Sequence, residues 1–324
     1  MPPFRSKHNT IYFDDDFNKP LKKTALDRIS KNIWINFNDE FNQPIDEIEG
    51  KPMFIKLGRD FNQPIQKTPF FLRGITFGSR YDQPIENLTK QLHYITFGKD
   101  FNQPIDELGD WIEELEIGER IGSLFNQNIN HLSTNLKIFI FRPGLTFNKN
   151  INFERNDCLK KIVFAGSFNQ LIVSKIYNIE EEELDEEELE KEELEKEELK
   201  EEKNSEVIIF YDIGEVIKIP NLLFLCLGKN YTQSLNFLPD SIEYLYVGYD
   251  YGAWNDRDDK PEYTQKYFRK ISEGYDITTI KKLPASLQSF HISTNEEGVN
   301  ELRKKFPGIN IGSEEYIDLD INQI

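Results

Sequence analysis

Apolar positions recur along this chain in two linked patterns, both with a period near 20 residues. The first is a five-residue unit. It reads F-N-K-P-L from Phe17, F-N-Q-P-I from Phe41, Phe61 and Phe101, and Y-D-Q-P-I from Tyr81. Looser copies start at Phe125, Phe147, Phe168 and Tyr231. The second is L-x-x-I-x-F, seen at Leu72, Ile75 and Phe77 and again at Leu92, Ile95 and Phe97. It continues to Leu225 and Leu227, to Leu245 and Val247, and to Phe290 and Ile292. A glycine follows seventeen residues after several of the leading aromatics, as in Phe41 to Gly58 and Phe61 to Gly78.

The alternation I-x-F predicts a short strand with one buried face. The glycine predicts a turn, and the proline of F-N-Q-P-I excludes a helix from that half of the unit. One unit cannot bury its own apolar face, so neighbours must stack into a parallel sheet with a continuous core. In that arrangement Phe41, Phe61, Tyr81 and Phe101 form one buried column. The asparagine beside each ring must find backbone partners on the neighbouring coil, because an unpaired buried amide costs about 1–3 kcal/mol.

These units resemble the FNIP repeats of social amoebae and of the giant viruses that infect amoebae. The resemblance covers residues 17–251 and implies a leucine-rich-repeat-like solenoid. The predicted fold is therefore mainly β, a solenoid of short parallel strands with a helical acidic insertion and an α/β C-terminal cap. The expected organisation is an N-terminal cap segment (1–16), repeats (17–178), an acidic low-complexity insertion (179–206), further degenerate repeats (207–252), and an irregular helical insertion with a capping unit (253–324). In that last part Pro261 suits the first turn of a helix, with Tyr263, Tyr267 and Ile271 on one face and Gly274 at its end. Asn295 suits the cap of a second helix, followed by a strand at 309–311.

Charge changes the picture in one place. The chain carries a formal net charge of −18, and residues 180–203 hold 16 acidic residues against four lysines. Their leucines recur every five residues and spiral around a helix without forming a stripe, which predicts a solvated helix or loop. The balance disfavours nucleic acid and anionic membrane and leaves a protein partner, a basic one above all. The apolar runs are too short to span a bilayer. Cys158 and Cys226, far apart in apolar stretches, read as small buried hydrophobes, and the start of the chain has no apolar run of the signal-peptide kind. An intracellular, cytoplasmic protein is expected.

The sequence offers no catalytic motif. The four histidines are isolated, no C-x-x-C is present, and no glycine-rich phosphate loop occurs, so no metal, cofactor or enzymatic activity is expected. Acidic pairs such as Asp106 and Glu107 fall at surface positions of the repeat. Partner specificity must then reside in the variable positions flanking the buried strand residue. The aromatics there are Trp34, Phe54, Tyr94, Phe224, Tyr244 and Tyr246, two patches separated by Glu114 and Glu116. Aromatics commonly anchor protein interfaces, and the predicted function is a protein-binding scaffold. A carbohydrate or other small ligand is the alternative that clustered aromatics also serve.

Overall fold

The computed structural model describes residues 4–173, apart from 8, 23–26, 28, 32, 120–122, 143–146, 148, 150, 152, 154, 166–167 and 170–171, and then 217–218, 221–253 apart from 229, 266–270, 275–313 and 316–318. The acidic run at 180–203 and its expected helix lie outside the described residues.

Each I-x-F segment forms a strand, and each strand lies beside its counterpart one repeat later. The order runs β1 (Phe4–Lys7), β2 (Thr10–Phe13), β3 (Trp34–Asn36), β4 (Phe54–Lys56), β5 (Gly74–Thr76), β6 (Tyr94–Phe97), β7 (Glu114–Ile117), β8 (Ile138–Phe141) and β9 (Lys161–Phe164). It continues through β12 (Phe224–Leu227), β13 (Tyr244–Val247), β16 (Ser289–Ile292) and β17 (Asn310–Gly312). All thirteen belong to one sheet, with β1 antiparallel at the edge and twelve strands parallel. The chain thus winds a parallel β-solenoid of about ten turns. Among the described residues no helix is long and apolar enough to cross a membrane.

The register follows the repeat. Ile35 pairs with Ile55, Ile55 with Ile75, Ile75 with Ile95 and Ile95 with Leu115. Two short strands, β10 (Ile172–Val173) and β11 (Ile217–Lys218), pair in parallel where the chain leaves and rejoins the array. Between β9 and β12 the register holds, Ile162 opposite Leu225 and Phe164 opposite Leu227.

Opposite the sheet, the leading aromatics of the five-residue units form the expected column. Phe41, Phe61, Tyr81 and Phe101 are fully buried. Successive ring centroids lie 6.3, 6.0 and 6.2 Å apart with planes within 17° of parallel. Three of the rings also stack on the aromatic four residues earlier, Phe41 on Phe37 at 4.1 Å, Tyr81 on Phe77 at 3.8 Å and Phe101 on Phe97 at 3.8 Å. Burial pushes the Tyr81 phenol pKa upward, and its hydroxyl reaches the Pro84 carbonyl at 3.5 Å, so one tyrosine fits the phenylalanine column. Equivalent atoms of adjacent coils are thus about 6 Å apart here, against ~4.8 Å between neighbouring strands. Phe77 and Phe97, nearer the sheet, are 5.5 Å apart.

The polar residues of the unit lock one coil to the next. Asn42 Oδ1 accepts the backbone N–H of Asn62 at 2.9 Å and the side-chain amide of Gln63 at 3.0 Å. Asn62 does the same for Asp82 and Gln83, and Asp82 for Asn102 and Gln103. A second rung uses the residue after the isoleucine: Asp46 Oδ1 accepts from the N–H groups of Gln66 and Lys67, and Asp106 Oδ1 from those of Asn130 and His131. Asp106 therefore has a structural use.

Two expectations are corrected. The repeated glycine is required by close approach more than by turn conformation. At Gly58 a Cβ would sit 1.8 Å from the Asn38 carbonyl oxygen of the coil below. Only where φ is positive, as at Gly118 (+91°) and Gly248 (+79°), is the left-handed turn itself the reason. The helix expected around Tyr267 is also replaced. Lys266–Lys270 forms β15, flanked by β14 (Tyr249–Ala253) and β18 (Tyr316–Asp318) in a three-stranded antiparallel sheet. Pairing on both edges outweighs a local helical pattern, and Tyr267 and Phe268 suit a strand. Pro261 itself lies outside the described residues.

The C-terminal cap is as expected. A helix, Glu296–Lys305, is capped by Asn295, whose Oδ1 accepts the Gly298 N–H at 2.8 Å. It covers the last turn with Val299 and Leu302, and β17 ends the sheet.

Phe61→Ala removes one buried ring from the column and should lower unfolding free energy by about 3–5 kcal/mol, read from urea titration. Asn62→Leu should cost about 1–3 kcal/mol by leaving the Asp82 N–H unpaired. Asn62→Asp should be nearly neutral, because Asp82 already fills that role one coil later.

Candidate functional site

The buried residue of each strand leaves its two neighbours on the outer face of the sheet, and in the first four turns that face is aromatic. Trp34 and Phe54 stand side by side on β3 and β4, with ring centroids 4.0 Å apart and planes 12° from parallel. On β5 the corresponding residue is Gly74, where a Cβ would lie 2.7 Å from Phe54 Cδ1. The missing side chain gives the Phe54 ring room to lean across and approach Tyr94 on β6, 6.3 Å away. Tyr94 stands 6.2 Å from His93, and His93 stands 6.0 Å from Trp111. Five rings thus run in series from Trp34 to Trp111. Trp34, Tyr94 and Trp111 are 46%, 42% and 60% exposed, while Phe54 is half-buried.

At the Trp111 end the arc borders a cleft of about 260 Å³ lined by Arg73, Gln91, His93 and Trp111. Arg73 Nη1 donates to the Gln91 side-chain oxygen at 3.0 Å and to its backbone carbonyl at 3.2 Å. Beyond the cleft Glu113 accepts from Lys137 Nζ at 2.9 Å and lies 3.4 Å from His93 Nδ1. The Lys137 hydrogen bond holds the Glu113 carboxyl below its ordinary value of 4.5, with a smaller contribution from His93. On the same strand Glu116 pairs with the buried guanidinium of Arg142, which also donates to the Gly118 carbonyl at 3.2 Å.

The second aromatic patch is not a free surface. Phe224 is fully buried, Tyr246 is 4% exposed, and Tyr244 is half-buried. After β13 the chain turns at Gly248 and places Tyr249 in a small apolar cluster with Phe224, Cys226, Tyr246, Val163 and Ile140. Tyr249 is itself fully buried and meets the Tyr246 ring edge-on at 6.1 Å. His291 stacks on Tyr246 at 4.9 Å, and Ser289 Oγ lies 3.0 Å from His291 Nε2. This hydroxyl–imidazole pair belongs to the packing of the covered half. Phe224 and Tyr246 are thus core residues of this half, since the strand that follows β13 folds back over the sheet.

Of the six aromatics predicted from sequence, Trp34, Phe54 and Tyr94 are brought together, and Tyr244 lies apart from them. Arg73, Gln91, His93 and Trp111 escaped that reading because only the strand positions were compared. The signal was present, since Phe71, Gln91 and Trp111 are spaced 20 residues apart in the turn that enters each strand. Phe70 and Phe71, 68% and 52% exposed, extend the same rim.

Because the folded-state pKa of Glu113 is depressed, its bond to Lys137 stabilises the fold above pH 4.5 and is lost as pH falls through the folded value. The stability difference between wild type and Glu113→Gln should therefore be present at neutral pH and shrink on acidification below 4.5, measured as urea midpoints along a pH series.

No family model matches the chain, and no curated protein matches it.

Proposed function

We propose that this chain is a non-catalytic repeat scaffold of the FNIP type that binds a partner protein on the strand face of its first turns. The observation that carries the reading is the arc of rings from Trp34 to Trp111. Three of its five members are more than two-fifths exposed, and Trp34 with Phe54 and His93 with Tyr94 are already stacked, which lowers the side-chain entropy lost when a partner binds. The molecule itself supplies the contrast. Where aromatics occupy the same face further along, its own Tyr249 covers them. Rigid aromatic clusters of this kind suit the centre of an interface, where a few large side chains carry most of the binding energy. An intracellular setting goes with this reading, both cysteines being free thiols, Cys226 buried as expected and Cys158, against expectation, exposed, and the scaffold needs no cofactor.

A second reading rests on the cleft beside Trp111. An exposed indole next to Gln91, His93 and Arg73 would also suit a single sugar ring, with stacking on one side and planar hydrogen bonding on the other. A glycan array separates it from the first.

The direct test is to place a photo-crosslinking side chain at Thr76, in the middle of the arc, and irradiate cells that express the chain. A discrete crosslinked protein is expected. Its yield should fall in Trp34→Ala and Trp111→Ala chains of unchanged melting temperature, each weakening binding by at least about 1 kcal/mol. Absence of a protein adduct, or an adduct indifferent to both substitutions, would overturn the reading.

A further inference from the structure

Through its first four turns the face that bears the ring arc carries a charge opposite to that of the molecule. The chain has 57 acidic residues against 39 basic ones. Yet in the first four turns the stretches that face the arc, 30–36, 50–56, 70–76 and 90–96, contain no Asp or Glu, whereas the fifth, 110–116, which carries Trp111, holds Asp110, Glu113, Glu114 and Glu116. The first four contain Lys31, Lys51, Lys56, Arg73 and Lys90. The carboxylates of the same turns sit in the F-N-Q-P-I halves instead, among them Asp39, Glu40, Asp46 and Asp60. Each of these four turns is therefore polarised, with cations and aromatics on the strand side and acids on the far side.

Pairing sharpens the asymmetry. Among the described residues Lys31, Lys51, Lys56 and Arg73 have no carboxylate partner, whereas Lys90 reaches Glu107. Lys31 and Lys51 are exposed on the rim that leads to Phe71 and Trp111, Arg73 lines the cleft, and Lys56 is exposed on the other flank. At the Trp111 end Glu113 is engaged by Lys137 and Glu116 by Arg142, while Glu114 stands beside Tyr94 on the next strand, so the cationic part of the face is its first four turns. What this face offers a ligand is apolar edges, indole and phenol donors, and cations with spare hydrogen-bonding capacity. A basic ligand, the expectation from net charge, would meet like charge here.

We infer that the arc binds an acidic peptide segment of a partner protein, its apolar side chains seated on the rings between Trp34 and Trp111 and its carboxylates taken by Lys31, Lys51, Lys56 and Arg73. This rests on the protein-binding reading of the same surface and adds the chemistry of the ligand. Arg73 is suited to the carboxylate nearest the cleft. Gln91 holds one of its terminal nitrogens, which fixes the guanidinium plane, and the remaining N–H groups suit a two-pronged carboxylate contact. Single-stranded nucleic acid is the other polyanion that combines with rings and cations. It is disfavoured because Trp34 and Phe54 stack on each other at 4.0 Å, leaving no slot between them for a base to enter.

The test uses the full chain and three fluorescein-labelled peptides of equal length, in which Leu and Trp are interspersed with Glu, with Gln or with Lys, read by fluorescence anisotropy. The Glu peptide should bind roughly tenfold tighter than the Lys peptide, and its advantage should shrink as salt rises. Arg73→Gln and Lys51→Gln should each weaken the Glu peptide about two- to fivefold and leave the Gln peptide unchanged. Trp34→Ala should weaken all three. Equal or tighter binding of the Gln or Lys peptide, still sensitive to Trp34→Ala, overturns the acidic ligand while leaving the docking surface in place. Binding of no peptide, or binding indifferent to Trp34→Ala and Trp111→Ala, overturns both. A labelled oligothymidylate that binds tighter than the Glu peptide and is lost in Trp34→Ala overturns the peptide in favour of a single strand.

Discussion

The interaction on which this molecule depends is the bond from a side-chain oxygen in one coil to the backbone of the next. Outside the sheet a coil has no ladder to satisfy its N–H groups, and an arc of irregular backbone against an apolar core would strand them. Asn42, Asn62, Asp82 and Asn102 solve this for the same position in four successive turns. The oxygen also collects the amide of the following glutamine, so one acceptor fixes two groups of its neighbour. The aromatic column can then stack, since its rings are placed by backbone that these bonds hold in phase. On the other side of the coil the parallel ladder does the same work, and the core lies between two sets of inter-coil bonds.

The core was legible in the sequence because stacking makes every turn repeat the same physical problem. Phe41, Phe61, Tyr81 and Phe101 carry one periodicity, Ile55, Ile75 and Ile95 another, and both survive where surrounding residues change. The asparagine's role followed from its position beside a buried ring. The glutamine's did not, since a polar residue at a half-buried position has many possible partners, and only the coordinates show it reaching back to the preceding asparagine. Gly58 was legible as a necessity but not for the right reason, because a close approach to the coil below leaves the same mark in sequence as a tight turn.

The site was less legible, for a reason specific to solenoids. Strand positions alternate predictably, but whether an outer face meets water depends on chain far away in sequence. Trp34 and Tyr246 occupy equivalent faces of equivalent strands. One is exposed, and the other is packed against Tyr249, because β14 follows β13 and returns across the sheet. No periodicity announces such a cover. The entry turn carries a different difficulty. Arg73, His93 and Trp111 vary freely from coil to coil, and their convergence into a cleft appears only when the coils are laid side by side.

The uninterrupted register between β9 and β12 has a consequence for how such a protein can change. Residues 172–173 and 217–218 run side by side as neighbouring strands, so the chain departs and re-enters at nearly the same place. The coils on either side pair as though nothing intervened. Each arc of the array is in this sense a port. Its ends are fixed by neighbouring coils, and the length of polymer between them is of little concern to the core, since loop-closure entropy grows only as the logarithm of loop length. A lineage could lengthen, shorten or replace what is carried there without renegotiating a single contact beneath it, and the strand face could keep its side chains in place while the rest of the molecule acquires new attachments.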